Sequence, residues 1–409
     1  MKRVVVTGMG VISPIGLDYA AFADSLKQGR VGIGPITKID VAESPIKLAA
    51  QANGFDPEAA GVPKKEIRRM DTYCQFAMAA AKQAVDMSGL DTAALNPRRF
   101  GVIVGSGIGG METFERDVVG MYEKGGFRIA PLFIPMMIGN IAAGNIAIML
   151  GAKGICTSVV TACTTSANCI GEAYRHIKHG YSDVIVAGGA EATITRGAIA
   201  GFAALKALSP ATDPARASIP FDKERNGFVM GEGAGIVVLE NYGNAIARGA
   251  TIYAEIVGYG TNCDAYHMTA PSPDGAGAAD CMLDAMAEAG ITPADVGYIN
   301  AHGTSTQLND SAETMAVKRA FGDAAGSVYI SSTKSMTGHL LGAAGAIETI
   351  ACIAALKGGF IPPTMGYKTP DADCDLNYSP NAATPAEFDY ALTNSLGFGG
   401  HNASLCIKK

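Results

Sequence analysis

Apolar positions along this chain alternate between two periods. The runs Val4-Val5-Val6, Val102-Ile103-Val104, Val184-Ile185-Val186 and Ile236-Val237-Val238 are short, uncharged and β-branched, as strands are, and helical stretches separate them. The alternation restarts after about Gly249, with strands expected near Ala254-Glu255-Ile256-Val257, Tyr298-Ile299-Asn300 and Val328-Tyr329-Ile330. No Pro/Ser-rich linker separates the two parts. The pattern predicts an α/β protein with mixed, mostly parallel sheets, built from an N-terminal half, residues 1–249, and a C-terminal half, residues 250–409.

The most informative stretch surrounds Cys163. Ile155 to Val160 is uncharged and reads as a strand covered on both faces. From Thr164 the period changes: Ala167, Ile170, Tyr174 and Ile177 share one helical face, and Gly180 suits a C-cap. Cys163 is thus expected near a helix N-terminus, where free N–H groups and the dipole favour an anion and lower a thiol's pKa. An inert buried cysteine is the competing reading. The second half carries a faint echo. Ile330-Ser331-Ser332-Thr333-Lys334 leads through Gly338-His339 into an Ala-rich helix over Leu340 to Leu356, which points to internal duplication.

Composition narrows the classes. Hydrophobic residues make up 48% of the 409 and charged ones 17%, enough for a large core and an oligomer interface. The nine cysteines show no paired C-x-x-C spacing, which predicts free thiols in a reducing, cytoplasmic setting. Met1-Lys2-Arg3 with its apolar sequel is broken too early for a signal peptide, and Ile134 to Leu150 is too interrupted for a membrane span. A net charge of −6 argues against nucleic acid as a partner. Two glycine motifs follow strands, Gly8-Met9-Gly10 and Gly105-Ser106-Gly107-Ile108-Gly109-Gly110, but neither completes a dinucleotide fingerprint; tight turns and close packing explain them.

Two of the six histidines sit at strand or helix junctions: His302 in Asn300-Ala301-His302-Gly303-Thr304-Ser305-Thr306, and His339 in Lys334-Ser335-Met336-Thr337-Gly338-His339. Either alone suits a satisfied core histidine. With Cys163 they form a set suited to acyl transfer, a nucleophile and two imidazoles that handle a proton or a carbonyl oxygen. Glu348 interrupts an apolar helix and needs a cation, for which Lys334 is the candidate; Asp310 and Glu313 extend the charged set. His176 and His179 have metal-pair spacing, yet with Arg175 and Lys178 they suit a helix C-terminus, and no metal is expected there. Phe398, flanked by glycines in Gly397-Phe398-Gly399-Gly400, can swing beside a ligand or occupy a plain turn. Lys64, Lys65, Arg68 and Arg69 on one side of an expected helix read as a solvated face or a landing site for an acidic partner.

In that order along the chain, Thr161-Ala162-Cys163, the His302 to Thr306 motif, the Lys334 to His339 motif, Gly342-Ala343-Ala344-Gly345 and Gly397-Phe398-Gly399-Gly400 together resemble the β-ketoacyl-[acyl-carrier-protein] synthases, most of all the type II elongating enzymes. Pro220-Phe221-Asp222 and Gly227 to Gly233 resemble them too. The resemblance implies a layered, internally duplicated thiolase-like αβαβα fold, a homodimer, and decarboxylating Claisen condensation without a required cofactor, with a monovalent cation nearby in this family. It implies Cys163 as acyl acceptor, His302 and His339 at the malonyl thioester, Lys334 with Glu348 behind them, and Phe398 as gate and oxyanion donor. It implies Ile108 and Phe202 at the acyl pocket and Thr269, Thr304 and Thr306 along the pantetheine arm. Lys64, Lys65, Arg68, Arg69, Arg128 and Lys206 would meet acyl-carrier protein. A polyketide-type ketosynthase, a non-catalytic chain-length partner and a cysteine hydrolase are the alternatives. Gln307, Asn309 and His401 depart from the family's usual residues.

Overall fold

The computed structural model describes all 409 residues. Ten strands form one sheet: β1 (Val4–Ile12), β2 (Phe100–Gly105), β3 (Cys156–Thr157), β4 (Val184–Glu191), β5 (Gly233–Asn241), β6 (Ala254–Cys263), β7 (Val296–Asn300), β8 (Tyr329–Ser331), β9 (Tyr390–Gly397) and β10 (His401–Lys408). Their spatial order is β8-β7-β9-β10-β6-β1-β5-β4-β2-β3. Each strand of the first half therefore has a twin five places later in the chain, and the two halves meet where β1 runs antiparallel to β6. The pairings β2 with β3 and β4, and β7 with β8 and β9, are parallel, whereas the other five are antiparallel. Parallel pairing is thus a smaller share than expected, because the segments joining β4 to β5 and β9 to β10 return the chain beside itself.

Five helices complete the layers: α1 (Thr72–Ser88), α2 (Thr165–Lys178), α3 (Ala276–Ala289), α4 (Gln307–Phe321) and α5 (Ala344–Gly358). Strand side chains alternate, so Val237 and Leu239 join the central core with α2 and α5, whereas Ile236 and Val238 pack with α1 on one outside. On the other outside, α3 and α4 cover Ile299, Leu392 and Cys406. The layers run αβαβα. The segment Leu341–Gly358 is apolar and long enough to cross a membrane, yet 89% of it is buried inside the molecule. Each Leu or Ile it buries contributes about 1.5–3 kcal/mol relative to exposure.

Glycines let strand and helix touch. A Cβ on Gly8 or Gly10 would lie 2.0 Å from Ala84 O or 1.9 Å from Ala80 O of α1, and one on Gly258 or Gly260 would lie 2.0 Å from Ala285 O or 1.9 Å from Cys281 O of α3. The first glycine motif is a packing device, repeated in the twin half.

Three local expectations differ from the structure. The stretch Ile155 to Val160 is not a doubly covered strand: only Cys156–Thr157 is paired, on one side with β2, and both residues are exposed at the open edge. The Ala-rich helix does not begin at Leu340, because Leu341–Ala343 forms a 3-10 turn ahead of α5. The basic helix is a single turn, Lys64–Ile67, with Arg68 as its C-cap and Arg69 beyond it, since α1 begins afresh from the N-cap Asp71.

Candidate active site

Cys163 lies in a 3-10 turn, Ala162–Thr164, that runs straight into α2. Its predecessor Ala162 is left-handed (φ 52°), an unfavourable conformation of order 1–3 kcal/mol that the surroundings must hold. They do so with short hydrogen bonds: Thr165 Oγ1 accepts from Thr161 N at 2.9 Å, and Thr164 Oγ1 donates to Thr161 O at 2.8 Å. Gly397 presses on the same turn, where a Cβ would lie 2.9 Å from Thr161 O and 3.3 Å from Cys163 N. The backbone N–H of the next residue, Phe398, is near enough to the Cys163 sulfur to favour its thiolate. The sulfur is therefore placed beside N–H groups able to hold an oxyanion. Its pKa is not lowered as expected: burial pushes the thiol up to about 12, against the charge of Lys334 and the Phe398 N–H, which pull it down. The free enzyme carries a thiol, whose proton must leave as the sulfur attacks.

The two imidazoles are built differently. His302 follows β7, and Glu313 of α4 pins its loop by accepting from His302 N and Gly303 N, both at 2.8 Å. His339 accepts at Nδ1 from Leu341 N at 3.3 Å, which assigns the ring proton to Nε2, and Nε2 has no partner within the protein. The rings meet edge to face with centroids 5.3 Å apart. Burial, with the positive charge of Lys334 second, drives both well below the ordinary histidine pKa, so both are neutral at physiological pH. Lys334 is 1% exposed and pairs with Glu348 of α5, as the apolar helix required. Burial raises Glu348, and likewise Glu313, to about 7, with the Lys334 charge opposing it at Glu348 and the two backbone N–H groups opposing it at Glu313. Asp310 is not in that network: it accepts from Phe221 N at 2.9 Å and faces Arg225 at 3.7 Å.

Cys163, His302, His339 and Phe398 line one cavity of about 350 Å³, together with Phe202, Thr269, Thr304, Thr306 and Lys206. Phe398 and Phe202 face each other with ring centroids 6.4 Å apart. Lys334, Glu348, Asp310 and Glu313 stand behind its wall. Ile108 is not among the lining residues; it is 44% exposed and its N–H points to Glu191. Arg128 lines a separate open cleft with Lys124 and Arg116, and Lys64, Lys65, Arg68 and Arg69 are exposed, with Lys64 on Glu58 and Arg69 on Glu66. His176, His179 and their neighbours form no metal-holding group.

Sequence reasoning missed Glu191. Fully buried at the end of β4, it accepts from Ser106 Oγ and Gly107 N at 2.8 Å, Gly342 N at 2.9 Å and Ile108 N at 3.3 Å. The second glycine motif thus cradles an internal carboxylate where a nucleotide site would hold phosphate. A lone Glu after the apolar run Val184 to Ala190 was the available signal. Arg225, which ties Asp310, Asp371 and the carbonyls of Thr306 and Gln307 together, is hidden in a charge run that reads as solvated surface.

A thiol seated beside N–H donors, two neutral imidazoles and a buried lysine in a duplicated αβαβα fold define a condensing acyltransferase. Residues 1–245 match the family described as "Beta-ketoacyl synthase, N-terminal domain", and residues 253–368 match its C-terminal domain. The chain belongs to the β-ketoacyl synthase family. It is 51% identical over 408 residues to the 3-oxoacyl-[acyl-carrier-protein] synthase 2 of Staphylococcus aureus (strain COL), covering 100% of this chain and 98% of that one. Its fold superposes on the crystal structure of a β-ketoacyl synthase from Burkholderia phymatum with TM-score 0.92 and 36% identity over 100% of both chains. A type II polyketide ketosynthase solved with its acyl-carrier protein gives TM-score 0.88 at 34% identity, covering 100% of this chain and 99% of that one.

Proposed function

We propose that the protein elongates acyl chains in type II fatty-acid synthesis, joining acyl-carrier-protein thioesters to malonyl-carrier protein. The observation that carries this reading is the single cavity into which Cys163, His302 and His339 all open. In the first half-reaction the Cys163 sulfur bonds to the acyl carbonyl carbon, the carbon–sulfur bond to the carrier arm breaks, and the thiol proton goes to the departing carrier thiol. The N–H groups of Cys163 and Phe398 hold the oxyanion. In the second, malonyl-carrier protein loses CO₂ and its thioester oxygen takes on enolate charge. His339 Nε2–H and His302 donate to that oxygen as the neutral rings that burial maintains, and neutrality keeps His339 Nδ1 free to accept from Leu341 N. The enolate carbon bonds to the acyl carbon, the acyl–Cys163 bond breaks, and a proton restores the thiol.

Phe398 serves as the gate between the half-reactions, supported by its ring beside Phe202, and Thr269, Thr304 and Thr306 meet the pantetheine arm. Lys206 at the cavity mouth, with Lys64, Lys65, Arg68, Arg69 and Arg128, receives the acidic carrier protein. A monovalent cation suits the space behind Lys334. Asn300 Oδ1, Glu348 Oε2, Thr393 Oγ1 and Ser395 Oγ are buried without hydrogen bonds, and Asn300 and Thr393 are partners across β7 and β9. These hard oxygens suit such an ion, which would steady the Glu348 charge. The working form is a cytoplasmic homodimer, a reading supported by nine free cysteines and the open edge at β3.

Intact-mass measurement tests the reading. Incubation with a long acyl-carrier-protein thioester is expected to add the acyl mass to the protein but not to Cys163→Ala, and malonyl-carrier protein is then expected to remove it as a β-ketoacyl product two carbons longer. An adduct that leaves as free acid without malonyl donor would favour a hydrolase instead.

A further inference from the structure

The duplication gives the active-site turn a counterpart within the same chain. Leu341–Ala343 before α5 is the twin of Ala162–Thr164 before α2: each is a three-residue 3-10 turn opening on a left-handed residue, Leu341 at φ 46° and Ala162 at φ 52°. Gly342 therefore occupies the place of Cys163. Each turn is met by the last residue of a strand from the other half: Gly397 of β9 at Cys163 N, and Glu191 of β4 at Gly342 N. Those strand ends are themselves equivalent, because Gly397 pairs with His401 at the start of β10 and Glu191 with Gly233 at the start of β5. Where the working turn leaves the Cys163 N–H for substrate, the twin turn has the Gly342 N–H filled by a carboxylate.

That carboxylate is a rivet. Its Oε2 joins Gly342 N of the second half to Gly107 N of the first, and its Oε1 takes Ser106 Oγ, which in turn accepts from Gly109 N at 2.9 Å. There is no room for a substitute: a Cβ on Gly342 would lie 2.3 Å from Gly107 N and 2.7 Å from Glu191 Oε2. The residue beside Gly342 is Leu341, whose N–H fixes the His339 tautomer. By contrast, the Cys163 turn is held by Thr164, Thr165 and Gly397, and His302 by Glu313; Glu191 reaches the thiol only through its charge, which raises the thiol's pKa and whose loss would not slow acylation. We propose that Glu191 is a positioning residue that sets His339 for the decarboxylation step by clamping the Leu341–Ala343 turn to the Ser106–Gly109 loop. The inference rests on the condensing reading, in which His339 serves decarboxylation and Cys163 serves acylation.

The geometry predicts an unusual order of variants. In Glu191→Gln the amide oxygen can still accept from Gly107 N and Gly342 N, while the NH₂ donates to Ser106 Oγ and forfeits only the long 3.3 Å bond from Ile108 N. Glu191→Asp keeps the charge but is one methylene too short to span both arms, and Glu191→Ala keeps neither. The experiment measures two rates for each variant: Cys163 acylation by dodecanoyl-carrier protein, and CO₂ release from malonyl-carrier protein. His339→Asn and wild type serve as controls. Acylation is expected to stay within about twofold of wild type, while decarboxylation falls by about tenfold or more in Ala and Asp and largely recovers in Gln. If Ala does not fold, the Asp and Gln pair still decides. Parallel loss of both rates, no loss in either, or Asp outperforming Gln overturns the proposal. Wild type that acylates Cys163 but releases no CO₂, or releases it equally well as His339→Asn, overturns the condensing reading instead.

Discussion

A lysine with 1% exposure, ion-paired yet placed behind two neutral imidazoles, is the most consequential single residue of the site after the nucleophile. Removing one partner of a buried pair leaves the other charge uncompensated, so Lys334→Met is expected to destabilise the protein by about 3–5 kcal/mol at pH 8. The double variant Lys334→Met/Glu348→Gln should regain most of that in denaturant unfolding without regaining activity. The pH response has a definite sign. Burial lowers the pKa of His302 and His339 most, and the Lys334 charge lowers them further, so losing that charge lets both rise towards the ordinary 6.5. A raised imidazole pKa protonates the rings at higher pH, and the acid limb of the decarboxylation profile in Lys334→Met should move up. A limb that stays in place or moves down would sink this account of the lysine. Cys163, His302, His339 and the Lys334–Glu348 pair were legible in the sequence because each is a reactive or charged group set in an apolar or glycine-rich context. The upward shift of the Cys163 thiol could not be read ahead, because a helix terminus can be seen in sequence whereas the side chains that gather around the sulfur cannot.

Among the elements, the strand-to-helix contacts at Gly8, Gly10, Gly258 and Gly260 separate packing from flexibility as the reason for glycine. Gly10→Ala would put a methyl 1.9 Å from Ala80 O, backbone that can yield only if β1 and α1 part. The expected loss is about 3 kcal/mol, at the upper end of overpacking effects. Gly34, in the short strand Ile33–Pro35, has nothing within 4 Å of its Cβ position, so Gly34→Ala should stay within about 0.5 kcal/mol of wild type. Urea midpoints for the two proteins, compared at matched slopes, make the check; equal midpoints would mean the layers are looser than the structure shows. Long periodic elements such as α1, α2 and α5 could be read from the sequence. The one-turn helix at Lys64 and the 3-10 turn at Leu341 could not, since one turn has too few residues to show a period and its form is decided by what it packs against.

Across the whole molecule the twin half-sheets share one strand order but differ at their outer edges, and that difference bears on assembly. In the second half, β8 is closed off by the chain itself: Ile330 N donates to Asn377 O at 2.9 Å and Ser332 N to Thr364 Oγ1 at 3.1 Å. In the first half no such segment follows β3; Cys156 and Thr157 are exposed, and Val160 is 58% and Ile148, on the helix packed beside them, 80% exposed. An open strand edge ringed by apolar side chains is a template for another strand, and a second copy of this chain offers the same edge about a two-fold axis. Val160 is only three residues before Cys163, so whatever covers β3 also braces the strained turn at Ala162. The proposed homodimer therefore predicts two linked results. Wild type should sediment at twice the 42.0 kDa of one chain, and Val160→Asp should sediment as the single chain and acylate Cys163 at least about tenfold more slowly. A wild-type protein of 42.0 kDa would remove the dimer. A monomeric Val160→Asp with unchanged acylation would leave the dimer standing but show that the turn keeps its shape without a partner.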